Sequence, residues 1–419
     1  MANSADRPCT ATSDEFHACG APGRRPGGVD AGYLAGRNCD LNMTNSSADF
    51  LRLIGVRKTN DPWVFEAVSL PGRAGNQQPI AYGGCAMATA LNAAGQTIKP
   101  EPRFVPYSVT GHFLGPATLD ERYVCEVKPV RDTRSFITRY VTVKQKIKGE
   151  MRSVLALTLD MIASKLSTRE ALDRAKATGK EPAKVQSLLR YQPKAKTELD
   201  NIVKLESSDE HLKRRLDSGD VDEFQIQAYH EFLGLWNKVF DTRIVLESIM
   251  TQNLFGLKEC ETSQDHLSIP DRRVFDWFRL FQSLPPAREG NQLTAGGPDG
   301  QLPQTTVMAH LCAVAFALDG GLAFAPISLS NEQMFKAGAA STLDFAQRYH
   351  TDVIDANKWM LREIQSVTAG WQRTFSEAQV FDQDGELVAS CSQQCVLRAA
   401  PGALDDDDDD EGRGPTAKL

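Results

Sequence analysis

A pair of glycines, a scatter of histidines and cysteines, and a few Asp, Ser, Thr and Gln residues in strand-like sequence are the groups with which this chain could do chemistry. Gly83-Gly84 open a small-residue apolar stretch, Cys85 to Ala94, closed by Gly95. A helix starting there offers free backbone N–H groups to an oxyanion or a substrate carbonyl, and its glycines let other backbone approach closely. His112, His310 and His350 stand in sequence that should be folded. No Gly-x-Ser-x-Gly elbow and no recognisable cysteine partner accompanies them, so they form no identifiable triad. The nine cysteines are odd in number, scattered and never spaced Cys-x-x-Cys. That pattern argues against zinc and against a disulfide framework.

The elements that must hold such groups follow from the apolar pattern. Residues 1–47 are rich in Gly, Pro, Ser, Asp and Asn and read as a disordered leader. Phe50, Leu51, Leu53 and Ile54 fit a short amphipathic helix, and Trp63, Phe65 and Ala67 alternate as in a strand. The helix at Gly83 is followed by two Val-, Thr- and aromatic-rich strands, Arg122–Val130 and Ser135–Lys146, with a turn at Arg131-Asp132-Thr133. The same outline recurs later: apolar Met308–Leu318, then strands Thr374–Asp382 and Leu387–Arg398 around an Asp384-Gly385 turn. Arg134-Ser135-Phe136 echoes Arg373-Thr374-Phe375, and the placement of the two copies favours an internal duplication. Between the copies lies charged, helical sequence, including the stripe Phe232, Leu235, Trp236 and Val239, which reads as an excursion packed on the sheet. Domain limits are set at 48–160, 161–270 for the insertion and linker, 271–398, and an acidic, disordered tail over 399–419.

A hydrophobic content of 41% supports a substantial core, and the formal charge of −7 includes the local run Asp405–Asp410. Nothing in this balance points to nucleic acid. No run approaches the roughly 20 apolar residues of a membrane span, and the first residues lack a secretory signal.

Two stretches resemble the acyl-CoA thioesterase II family. One runs from Gly83-Gly84-Cys85-Ala86 through His112-Phe113-Leu114-Gly115-Pro116 to Arg131-Asp132-Thr133-Arg134-Ser135-Phe136-Ile137-Thr138-Arg139. The other runs from Ser341-Thr342-Leu343-Asp344 through Arg373-Thr374-Phe375 and Asp384-Gly385 to Gln393-Gln394-Cys395-Val396-Leu397-Arg398, and is similar to fungal and other eukaryotic members. The resemblance implies an α+β double hotdog, each unit a helix wrapped by an antiparallel sheet, with a charged helical insertion. It also implies hydrolysis of fatty acyl-CoA by direct water attack, no cofactor or metal, and homodimers. Rival readings are a hotdog hydratase, an acyl-CoA-binding protein without turnover, and a thioesterase for a biosynthetic CoA ester.

In that family the work falls to an Asp, a Thr or Ser, and a Gln of the second hotdog. Carried over by motif, these are Asp344, Thr368 and Gln393, with Gly83 and Gly84 at the substrate. Asp344 could instead cap a helix, and only one of Gln393 and Gln394 can face a given site. The hydroxyl position is open, because the match lands on Val367, between Ser366 and Thr368, and a shift of one turns a strand side chain over. Ala417-Lys418-Leu419 is a close variant of the Ser-Lys-Leu peroxisomal address, so the expected partners are an acyl-CoA and a peroxisomal import receptor, in the peroxisomal matrix.

Overall fold

The computed structural model describes residues 50–75, 78–99, 104–163, 178–179, 189, 191–199, 202–285, 303, 305–352 and 354–403. All of them fall in one compact unit. The leader, the Gly-rich loop at 290–300, the helical segments at 168–172 and 183–186, and residues 404–419 of the tail with its tripeptide lie outside the described residues, whereas Ala399, the first residue assigned to the tail, ends the last strand.

Among the described residues twelve strands form one antiparallel sheet: β1 (Val56–Lys58), β2 (Val64–Ala67), β3 (Phe104–Phe113), β4 (Val124–Asp132), β5 (Phe136–Ile147), β6 (Glu150–Ala163), β7 (Phe240–Ile244), β8 (Val274–Leu280), β9 (Ala337–Tyr349), β10 (Met360–Gly370), β11 (Arg373–Asp382) and β12 (Leu387–Ala399). Their order is β1-β2-β4-β5-β6-β3-β9-β12-β11-β10-β8-β7. The second six repeat the order of the first six outward from the β3–β9 seam, where Ser108 to His112 pair with Arg348 to Asp344. Four described helices reach ten residues: α1 (Gly83–Gly95), α2 (Ser208–Asp217), α3 (Glu223–Val239) and α4 (Thr306–Leu318).

Helices α1 and α4 are buried along their length, Gly83 of α1 excepted. A helix without a polar face has no solvent side, so each must be wrapped. They run antiparallel: the start of α1 meets the end of α4, where Tyr82 Oη donates to Phe316 O at 2.6 Å, and a Cβ on Gly95 would lie 3.1 Å from Met308 Cε. This is the double hotdog that the resemblance implied, and helices and strands fall close to where the pattern put them.

Two details differ from the sequence reading. β7, at the far edge of the sheet, lies within 161–270 and is the counterpart of β1, so the stretch taken as insertion also completes the second sheet. Pairing also fixes the true register of the repeat. Arg139 lies opposite Leu159 as Ser376 lies opposite Gln393, which aligns Phe136 with Arg373. The Arg-Ser-Phe and Arg-Thr-Phe echo is therefore out of step, although the duplication it suggested is present in the fold.

The seam has no room for a side chain at Gly111, where a Cβ would lie 2.5 Å from Ala156 O and 2.7 Å from Phe345 Cζ. Gly111→Ala should therefore destabilise the chain by roughly 1–3 kcal/mol, read as a lower denaturant midpoint at unchanged slope.

Candidate active site

The turn after α4 carries Asp319, only 9% exposed. Its Oδ1 accepts from Gln393 Nε2 at 3.2 Å, and Gln393 Oε1 accepts from Thr342 Oγ1 at 3.2 Å. Gly84 N–H also hydrogen-bonds the carboxylate. A Cβ at Gly83 would lie 2.6 Å from Asp319 Oδ2 and 2.6 Å from Phe113 Cζ, so only glycine lets the start of α1 come this near. One half of the duplication thus supplies the carboxylate, the amide and the hydroxyl, and the other supplies the helix N-terminus.

Strand register explains why these groups meet. On β12, Gln393 and Cys395 are both fully buried on the inner face. Gln393 lies opposite Phe345, Gln394 opposite Asp344 and Cys395 opposite Thr342, with a bulge at Leu343. The bulge returns Thr342 to the inner face beside Gln393. Asp344, paired with outward-facing Gln394, is turned away and stands opposite exposed His112 across the seam. It is in mid-strand, so it caps no helix. Thr368 does not reach Gln393 either: a bulge at Val367 leaves it exposed near the end of β10, opposite Phe375. Ser366 is the inward hydroxyl, opposite Ser376, which is opposite Gln393. Two strand spacings, roughly 10 Å, separate Ser366 from Gln393.

Of the expected set the structure gathers Gln393, Gly83 and Gly84, but not Asp344 or Thr368. Asp319 and Thr342 take the places of an Asp and a hydroxyl. Both left a trace in the sequence. Asp319 is the first charged residue after thirteen uncharged, mostly apolar helical residues, and Gly320-Gly321 follow it; Thr342 stands two residues before Asp344 in the same motif.

Burial pushes the Asp319 carboxyl up to about 7, against the lowering effect of its bonds to Gln393 and Gly84. Its place at the negative end of α4 also favours the protonated form, and the start of α1 opposes this. Near neutrality it can therefore take up or give back a proton. Cys395 Sγ lies 3.9 Å from Thr342 Oγ1, but burial pushes its thiol up to about 12, as it does Cys85, so neither supplies a thiolate. Ser376 Oγ is buried beside Gln393 without a hydrogen-bond partner among the described residues, a polar group left for water or ligand. Among those residues no cluster of His, Cys, Asp and Glu could hold a metal, and no helix is long and apolar enough to cross a membrane.

Among the described residues the first half does not repeat these groups. By the shared register Asp319 corresponds to Gln96, Thr342 to Pro106 and Gln393 to Leu159. The Ser376 position is filled by Arg139, 3% exposed, which donates to Thr97 Oγ1 and pairs with Asp132 at 2.8 Å.

Residues 70–162 match the acyl-CoA thioesterase N-terminal domain and residues 267–397 the acyl-CoA thioesterase C-terminal domain, together more than half of the chain and in the order of the two hotdogs. This chain belongs to the acyl-CoA thioesterase family. Acyl-CoA thioesterases are thioester hydrolases. Among curated relatives, Acyl-coenzyme A thioesterase 8 of Homo sapiens is 30% identical over 103 residues and that of Mus musculus 26% over 102, each match covering 24% of this chain and 31% of the relative. The matched stretch thus spans about a third of these relatives' length. Among solved structures, the thioesterase II TesB2 of Mycobacterium marinum aligns with a TM-score of 0.52 at 18% identity over 84% of this chain and 98% of its own. A putative thioesterase II of Thermobifida fusca YX aligns with a TM-score of 0.53 at 13% identity over 84% and 97%. At such identity these likenesses speak to the fold, which this chain shares.

The raised carboxyl has a consequence for stability. With Asp319 titrating near 7 folded and about 4 unfolded, the folded chain holds the extra proton between those values, and stability falls as pH rises through that window. Asp319→Asn removes this loss. Its gain in Tm should be small near pH 4, grow towards pH 7 and stay level above, as measured by thermal unfolding across pH.

Proposed function

We propose that this chain hydrolyses fatty acyl-CoA to free acid and coenzyme A by direct attack of water, with Asp319 as general base. The observation that carries the proposal is the hydrogen-bonded chain Thr342, Gln393, Asp319 meeting the N-terminus of α1. Water held against Asp319 adds to the thioester carbonyl carbon as its proton passes to the carboxylate. The backbone N–H of Gly83, at the start of α1, is the donor for the oxygen that becomes negative, while the Gly84 N–H stays on the carboxylate. When the carbon–sulfur bond breaks, the thiolate of coenzyme A leaves and Asp319 returns the proton to it. Gln393 orients the carboxylate, and Thr342 fixes the Gln393 amide by donating to its oxygen. Binding without turnover is the less economical reading, because a carboxylate titrating near neutrality at a helix N-terminus suits proton transfer better than passive ligand holding.

The C-terminal Ala417-Lys418-Leu419 directs this activity, in the same proposal, to the peroxisomal matrix through its import receptor.

Thiol release from acyl-CoA by purified protein tests the reaction. Asp319→Asn should lower kcat about 10²- to 10⁴-fold with a smaller change in KM, and Gln393→Ala and Thr342→Val should act in the same direction. Asp344→Asn and Thr368→Ala should stay near wild type, and the opposite pattern would restore the motif-based assignment. The pH profile of kcat/KM should rise with a midpoint near 7, because the base works ionised. For location, a reporter bearing residues 400–419 should enter peroxisomes and lose that ability without Leu419; a reporter that stays cytosolic in both forms overturns the address.

A further inference from the structure

We infer that Arg362, held by Trp236 of the helical insertion and by Asp276, is a positioning residue for the reaction, clamping the turn that carries Asp319. The inference rests on the reading of Asp319 as the base.

Arg362 projects from β10 and is 6% exposed. Its Nη1 donates to Ala317 O at 2.8 Å and to Gly320 O at 2.7 Å, the carbonyls on either side of Asp319. Nε and Nη2 form a two-point pair with Asp276 of β8 at 2.9 and 2.8 Å. The guanidinium lies over the Trp236 indole, 4.6 Å from its centroid. Trp236 belongs to α3, and its Nε1 donates to Thr242 Oγ1 of β7 at 3.1 Å. Both elements come from the stretch read as an excursion packed on the sheet.

The turn itself is wedged. A Cβ on Gly320 would lie 3.0 Å from Trp236 Cζ3, and Gly321, at φ +90°, would place one 3.0 Å from Ile364 Cδ1. The loop that leads into α1 is tied to α3 as well, with Gly75 N donating to Phe232 O at 2.7 Å. The same indole helps line a cavity with His211, Leu212, Tyr229, Met250 and Asp276.

Carbonyls at a helix C-terminus repel a carboxylate, and Asp319 sits among them. Arg362 takes up two of these carbonyls and brings a cation to the helix end where it is favoured. The other titratable groups packed here are Tyr82, Cys85, Tyr123, Cys391 and Cys395, all pushed up by burial and so neutral, and Asp276, already paired with Arg362. Without the clamp the turn relaxes, and Asp319 shifts against Gln393 and Gly84, the two partners that favour its ionised form.

The test compares wild type, Arg362→Met, Arg362→Lys, Asp319→Asn and the Arg362→Met/Asp319→Asn double variant by acyl-CoA hydrolysis across pH, with folding checked by circular dichroism. Arg362→Met should lower kcat about 10- to 100-fold at pH 7 with a small change in KM. It should also move the rising limb of the pH profile at least about half a unit towards alkaline pH. Arg362→Lys, which keeps the charge but not the fork, should fall between. In the Asp319→Asn background Arg362→Met should cost nothing further, since it acts through Asp319. An unshifted profile in folded Arg362→Met, or losses that multiply in the double variant, overturns the inference. Should Arg362→Met fail to fold, Trp236→Phe and Arg362→Lys carry the same pH comparison. Full activity in Asp319→Asn would instead overturn the reading of the base, and so tells the two failures apart.

Discussion

A carboxylate buried where the end of one helix meets the start of another is the constraint on which the rest of this structure depends. Burial drives Asp319 towards its neutral form, while the proposed role as base requires it to ionise. The conflict is held in balance by a few fixed donors. Gln393 and Gly84 stabilise the charge, and glycine at 83 and 84 lets the helix N-terminus come within reach. That meeting needs two antiparallel helices, which in turn need two sheets joined edge to edge at the β3–β9 seam. Small residues along α1 and the tight contact at Gly111 are steric terms of the same arrangement.

The architecture was legible in the sequence because it rests on long, regular signals. Thirteen uncharged helical residues, alternating strands and an Asp-Gly turn each state a period, and each was realised within a few residues. The edge strand β7 was not legible: five residues, Phe-Asp-Thr-Arg-Ile, follow a charged helix and alternate poorly, and only pairing with β8 makes them a strand.

The site was legible in part, and the division has a physical cause. Gln393 and the glycine pair could be placed because their faces follow from uninterrupted strand or helix geometry. Asp344 and Thr368 could not, because each lies next to a bulge, at Leu343 and at Val367, and one extra residue exchanges inside for outside. Motif matching counts along the chain and is blind to that exchange. Asp319 was missed for another reason: it belongs to no polar motif, and its meaning comes from helix α1, more than two hundred residues earlier in the chain.

The insertion, too, takes its meaning from packing across the chain. Its charged outer residues read as solvated surface, but the apolar stripe ending at Val239 brings Trp236 against the Asp319 turn. The duplication carries one more consequence. With Gln96, Pro106 and Leu159 at the mirrored positions, the first half keeps the shape of a site but none of its groups. On the proposed reading, the described residues of each chain therefore hold one reaction centre built from two unequal halves. On that reading ligand saturation within one chain follows a simple hyperbola at a stoichiometry of one, with no twin site to fill or to signal to, and the first half is held by the packing of α1 and the seam rather than by chemistry of its own.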